Sequence, residues 1–162
     1  MMLPGRRALN FAGFFACAGM MGFALYAQHV LLLEPCPLCV LQRVAVIGLS
    51  LVFLIAALHH PSGFGRYLYA GLVAVFALGG LGVAGWHARL QSLLPSDVPS
   101  CGPGLDYILD NFPLAEALRM VFEGSGECAE VAWSLFGLSM PAWVFVCLSG
   151  IGGVGIWNNL RQ

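Results

Sequence analysis

Four stretches of this chain are each long and apolar enough to cross a lipid bilayer as a helix, and they constrain everything else about it. A hydrocarbon core about 30 Å thick takes roughly 20 helical residues. The stretches cover residues 8–27, 40–58, 67–86 and 141–157. The first contains Asn10 as its only strongly polar residue, and the last has a single hydroxyl, Ser149. The second reaches back to Cys39 if Gln42 and Arg43 lie at the membrane edge. Inside lipid a backbone must satisfy its own N–H and C=O groups, so stretches of this kind become helices. Composition agrees: 59% of residues are apolar and 9% charged, against about 45–50% and 25% in soluble domains. Tyr26, Tyr67, Tyr69, Trp86, Trp143 and Trp157 fall near span ends, as in an interfacial aromatic belt. The expected fold is an all-α integral membrane protein, a four-helix transmembrane bundle forming one membrane domain over 1–162.

The first stretch follows Arg6 and Arg7, as a signal peptide would, but it is long for one and no A-x-A cleavage site follows. It is expected to stay as a helix. Charge then sets the orientation. Residues 1–7, 59–66 and 158–162 share one side and hold Arg6, Arg7, Arg66 and Arg161 with no acid, a net +4. The other side holds all eight acids with Arg43, Arg89 and Arg119, a net −5. The positive-inside rule puts both termini in the cytoplasm. Residues 28–39 and 87–140 become two outward-facing loops, which the family resemblance named below would make periplasmic. The pI of about 6.4 and the lack of any basic run give no footprint for nucleic acid; the expected surroundings are the lipid bilayer. Small residues stud the third and fourth spans (Ala74, Gly79, Gly80, Gly82, Gly85, then Ser149, Gly150, Gly152, Gly153, Gly155), as close helix packing requires.

The cysteines are segregated. Cys36, Cys39, Cys101 and Cys128 all fall in the two outward loops, where disulfides persist, whereas Cys17 and Cys147 lie within spans and read as small hydrophobes. A Cys-x-x-Cys pair closes too small a ring to be a good staple, but it suits interconversion of thiol and disulfide. Cys39 immediately precedes an apolar span, so it belongs in or beside the first helical turn, where the partial positive charge favours an anion. Arg43, one turn on, brings a permanent cation towards the same sulfur or a bound anion; alternatively it snorkels to the headgroups.

Cys101 and Cys128 enclose 26 residues. Spacing alone leaves open a static staple for a long loop or a redox pair. A four-Cys zinc site is disfavoured because such sites present two short pairs, and no metal is expected. Between these cysteines, Leu114, Leu118, Val121 and Phe122 share one face of a short amphipathic helix that Asn111 can cap and Pro113 can open. That helix either lies on the membrane or packs on its own bundle. Of four histidines, His87 is level with Cys39 and Arg43 and is the candidate to line a cofactor site.

Glu34-Pro35-Cys36-Pro37-Leu38-Cys39 followed by Gln42-Arg43 resembles the signature of the disulfide bond formation protein B (DsbB) family. Gly126-Glu127-Cys128-Ala129-Glu130, then Trp133, then Gly137-Leu138-Ser139-Met140-Pro141-Ala142-Trp143, resembles that family's second-loop ending. The resemblance covers nearly the whole chain and implies a quinone-dependent disulfide generator of the bacterial inner membrane. Its partner would be a periplasmic thioredoxin-like oxidase of the DsbA type. The reduced partner would attack a Cys101–Cys128 disulfide at Cys101. Cys128 would then attack Cys36 of a Cys36–Cys39 disulfide, and Cys39 would face a quinone, ubiquinone or menaquinone, beside Arg43. His87 matches a family position near the quinone. An oxidant near roughly −120 mV needs a sink with greater pull, and a membrane quinone is one.

Other readings stay open here. A non-enzymatic four-span protein could use two structural disulfides; its cysteines would stay oxidised under all conditions. A small transporter would show an ionisable residue within a span. Within the enzyme class, a paralogue dedicated to one partner oxidant, or a thiol reductase running electrons the other way, carries the same motifs.

Overall fold

A computed structural model describes residues 5–59, 61, 63–92, 107, 111–123, 126–129 and 131–161. Four long helices dominate: α1 (Arg6–His29), α2 (Pro37–His59), α3 (Gly65–Leu90) and, after two short helices, α6 (Met140–Leu160). All four are long and apolar enough to cross a membrane. The short ones are α4 (Leu114–Glu123) and α5 (Gly126–Ala129).

Each long helix extends past its apolar stretch. α2 begins at Pro37 rather than at residue 40, because proline has its φ preset for a first helical position and no N–H to leave unpaired. Cys39 is therefore helical, not part of the loop. α3 continues through His87-Ala88-Arg89-Leu90, residues without a helix breaker among them, so His87 rides on a helix rather than on the long loop. A feature the sequence did not suggest follows α5. Strands β1 (Ser134–Leu135) and β2 (Leu138–Ser139) pair antiparallel around Phe136-Gly137. Both turn residues have positive φ, 53° and 79°, the geometry of the tight hairpin turns that suit strand twist. Glycine takes it readily; phenylalanine gives no signal for it. The indole Nε1–H of Trp143 donates to the Leu135 carbonyl at 3.0 Å and fastens this hairpin to α6.

In the bundle α1 packs on α2, α2 on α3 and α3 on α6. The core joins Cys17, Leu49, Phe53, Val73 and Leu148. The α3–α6 contact depends on small residues: a methyl group on Gly152 would stand 2.6 Å from Ala77 Cβ, and one on Gly80 would stand 2.7 Å from Leu148. The other small residues are not equivalent. Gly79, Gly82, Gly150 and Gly153 have open space where a side chain would go, so only part of the small-residue pattern is packing.

Where α1 starts and α6 ends, three asparagines are buried together. Asn158 Nδ2 donates to Asn10 Oδ1 (3.1 Å) and to the Arg6 carbonyl (3.0 Å). Asn159 Nδ2 donates to Asn10 Oδ1 (3.2 Å) and to the Gly155 carbonyl (2.9 Å). Cys36, Cys39 and Cys128 lie at the opposite end.

Candidate functional site

The site is built at the start of α2. Proline at 37 restricts the residue before it to extended backbone. Cys36 thus ends the loop and turns its sulfur back over the new helix, where Sγ accepts the backbone N–H of Cys39 at 3.4 Å. This is the position of a helix N-cap. The first-turn amides consequently face Cys36 as well as Cys39. The two sulfurs are 2.9 Å apart.

Two other elements close over Cys36. α5 delivers Cys128, wholly buried, in an apolar cluster with Cys36, Leu38, Leu90 and Val121. α3 delivers His87, 2% exposed. The Cys36 and Cys128 sulfurs and a His87 ring nitrogen lie within 4.8 Å of one another. Cys36 is thus the middle sulfur of three. Its thiol is pushed well above the ordinary range, first by its hydrogen bond with Cys128, then by that with Cys39, then by burial.

Hydrogen bonding fixes the state of His87. Its Nε2 lies 3.1 Å from the Cys128 carbonyl oxygen and 3.7 Å from Cys36 Sγ. A carbonyl only accepts, so Nε2 carries a proton. On its other side Nδ1 faces Gln42 Nε2 at 2.9 Å. Gln42 is itself 5% exposed. Buried about one turn after Cys39, it orients His87, a role that a place at the membrane edge did not suggest. A glutamine at the start of an otherwise apolar span was the available signal.

Arg43 lies one turn beyond Cys39, as the spacing implies. Its guanidinium donates to Gln28 Oε1 and, at 3.1 Å, to the Ala24 carbonyl. Both groups belong to the last turns of α1, so Arg43 braces α1 against α2 while one side lines a cavity. That cavity, about 120 Å³, is bounded by Met20, Ala24, Cys36, Cys39, Gln42, Arg43, His87, Trp133, Met140 and Pro141, among others. Most of the lining is apolar, with the polar groups gathered on the α2–α3 side. Trp133, noted in the sequence only within a motif, packs its ring 5.4 Å from Phe23.

The short amphipathic helix forms as expected, directly after Pro113 over Leu114–Glu123, and Glu116 N–H bonds the Pro113 carbonyl at 2.9 Å. Asn111 does not cap it; its side chain donates to the Tyr107 carbonyl at 2.9 Å. Val121 is buried against the cysteines while Phe122 is exposed, so α4 packs on the bundle through Val121. Trp86 Nε1–H holds the Phe122 carbonyl at 2.9 Å. Cys17 is fully buried, as expected, but Cys147 is only partly so. Cys101 lies outside the described residues.

Four helices long and apolar enough to cross a membrane, with three sulfurs gathered beside a cavity, describe a multi-pass membrane protein with a cysteine cluster at one end. The family model for "Disulfide bond formation protein DsbB" matches residues 6–158. A disulfide bond formation protein B of Nitrosococcus oceani is 54% identical over 96% of this chain and 92% of its own length. That of Methylococcus capsulatus is 47% identical over 99% and 100%, and that of Stutzerimonas stutzeri 41% over 100% and 99%. The chain belongs to the disulfide bond formation protein B family.

Proposed function

We propose that this chain reoxidises a periplasmic DsbA-type dithiol oxidant and passes the two electrons to a membrane quinone, making disulfides de novo. The observation that carries the reading is the position of Cys36, between Cys39 and Cys128 and beside an apolar cavity. In this reading a thiolate of the reduced partner attacks the Cys101–Cys128 disulfide at Cys101. The partner's second thiol displaces Cys101, which releases oxidised partner and leaves Cys101 and Cys128 reduced. Cys128 next attacks Cys36 of the Cys36–Cys39 disulfide, and Cys39 leaves holding the electron pair; Cys101 then attacks Cys128, which re-forms the loop disulfide and releases Cys36, so that Cys36 and Cys39 as a dithiol would give two electrons to quinone and close their own disulfide again. The placement of Cys128 against Cys36, rather than against Cys39 alone, supports that order.

The cavity passes a simple fit test. The cavity of about 120 Å³ is lined mostly by apolar side chains with Arg43 and His87 among them, chemistry that suits a quinone ring; the isoprenoid tail would lie in lipid. Cys39, Arg43 and His87 would hold the ring. Quinone, when bound there, accepts two electrons and two protons. Arg43 supplies fixed positive charge, and the Nε2–H of His87 faces the Cys36 sulfur. Met20 and Trp133 keep water from the ring. The cysteine end is periplasmic, both termini are cytoplasmic and the membrane is the inner one; the charge asymmetry supports this orientation.

The test is quinone reduction by the purified chain supplied with a reduced thioredoxin-like partner. One quinol should form per partner disulfide, and partner oxidation without quinone reduction would overturn the reading. A membrane-impermeant maleimide should reach the reduced loop cysteines from the periplasm; labelling only from the cytoplasm would reverse the orientation.

A further inference from the structure

The buried cluster also offers a set of ligand atoms that disulfide exchange never uses together. Sulfurs of Cys36 and Cys128 and a His87 ring nitrogen lie within 4.8 Å of one another. Zinc–sulfur bonds of about 2.3 Å and zinc–nitrogen bonds of about 2.0–2.1 Å in a tetrahedron put ligand atoms roughly 3.3–3.8 Å apart. Small side-chain rotations therefore bring these three onto one ion. Cys39 Sγ lies 2.9 Å from Cys36 Sγ but outside that group of three; by turning away from Cys36 it supplies a fourth, at the two-residue spacing common in zinc sites. The sequence argued against zinc because Cys101 and Cys128 are far apart; here His87 replaces Cys101 and that objection falls.

Charge and hydrogen bonding are compatible with the ion. Three thiolates, a neutral imidazole and a divalent cation sum to −1, and Arg43 on the same cavity wall offsets it, which limits the cost of burying charge. A metal on Nε2 needs that nitrogen unprotonated and the proton on Nδ1. Gln42, 2.9 Å from Nδ1, then has only to turn its amide over, so that Oε1 accepts the proton. That pairing is the usual support for a metal-bound histidine.

We propose that the fully reduced chain binds one thiophilic divalent cation of the zinc class through Cys36, Cys39, Cys128 and His87. Each coordinated thiol gives up a proton to solvent and no electrons move, so binding tightens as pH rises. The bound ion occupies the sulfur lone pairs that exchange requires and stops turnover. That consequence rests on the function proposed above; the binding does not.

The test uses the full untagged chain in detergent, reduced with a phosphine and given zinc chloride or cadmium chloride alone. Elemental analysis and cadmium–thiolate absorbance should show one ion per reduced chain and none on the oxidised chain. Cys101→Ser should keep the ion. Cys128→Ser and His87→Gln should lose it, and Gln42→Ala should bind about 10–100-fold more weakly. Variants are read only where gel filtration matches the parent. Equal binding by the oxidised chain, no retention by the reduced parent, or full retention by Cys128→Ser would each overturn the site. Turnover is measured separately: a chain that turns over but takes no metal sinks this inference alone, and one that takes metal but never reduces quinone sinks only the functional reading.

Discussion

At the end of the bundle where α1 starts, Asn10, Asn158 and Asn159 are buried and spend their hydrogen bonds on one another and on helix carbonyls. At the other end Gln42 and His87 are equally buried, but they meet sulfurs and a cavity of about 120 Å³. Beside Asn10 and Asn159 the free space is only about 10 Å³, room for about one water at most. Both ends place polar groups where lipid surrounds the helices, and buried polarity there marks either a lock or a site. The difference is space: the asparagine cluster leaves one buried oxygen, Asn158 Oδ1, without a partner among the described residues but almost no room beside it, whereas the cysteine end leaves a cavity. The same contrast separates Arg43 from Asn10: each ties α1 to a neighbour, but the space Asn10 lines is about 10 Å³ and the one Arg43 lines about 120 Å³.

The contrast can be broken most severely at the cysteine end. Cys36→Ser should abolish partner-coupled quinone reduction, and Cys128→Ser should both abolish it and trap a mixed disulfide on Cys101 that vanishes in Cys101→Ser. Trapping that persists without Cys101 would move the entry point elsewhere. Arg43→Ala should lower turnover by about 10–100-fold, the equivalent of roughly 1.5–3 kcal/mol for a hydrogen-bonded charge, and weaken quinone affinity. Arg43→Lys should recover part of it, because lysine keeps the charge and loses the planar fork. Unchanged quinone affinity in Arg43→Ala would make this residue a brace between α1 and α2 only.

The locked end should answer in a different currency. Asn10→Ala leaves the amides of Asn158 and Asn159 short of an acceptor and should lower stability by about 1–2 kcal/mol, seen as earlier unfolding in detergent. Turnover per folded molecule should be unchanged; a large fall would mean that the two ends are coupled. The smallest effect concerns pH. Cys36 keeps its proton in the fold beyond the ordinary thiol value of 9.0, while the unfolded chain loses it there. Above about pH 9 the unfolded state therefore binds fewer protons, and stability of the reduced protein falls as pH rises, by at most about 1.4 kcal/mol per pH unit. Below that value the contribution is fully present. Cys36→Ser should flatten this alkaline slope in a pH series of melting curves.

Most of the fold was legible because hydropathy is a local property: a run of apolar residues becomes a membrane helix whatever surrounds it. The ends of helices were less so, since Pro37 and the stretch from His87 to Leu90 are decided by backbone chemistry rather than hydropathy. Of the site, the Cys36–Cys39 spacing, the outward position of Cys128 and the level of His87 were plain, and the family resemblance added an order of exchange among the cysteines. The pairing of Gln42 with His87, 45 residues apart, and the reach of Arg43 to Ala24 and Gln28 follow from how helices pack, which no local pattern encodes. The hairpin at 134–139 went unseen because phenylalanine seldom adopts the φ that Phe136 has.

The middle position of Cys36 carries one more implication. Sulfur forms a single disulfide at a time, so a bond from Cys36 to Cys39 and a bond from Cys36 to Cys128 exclude each other. The atom works like a railway point: it connects the inner pair or the loop, never both. Traffic arriving while the points are set the other way has to wait, and thiols from outside find no continuous path into the bilayer.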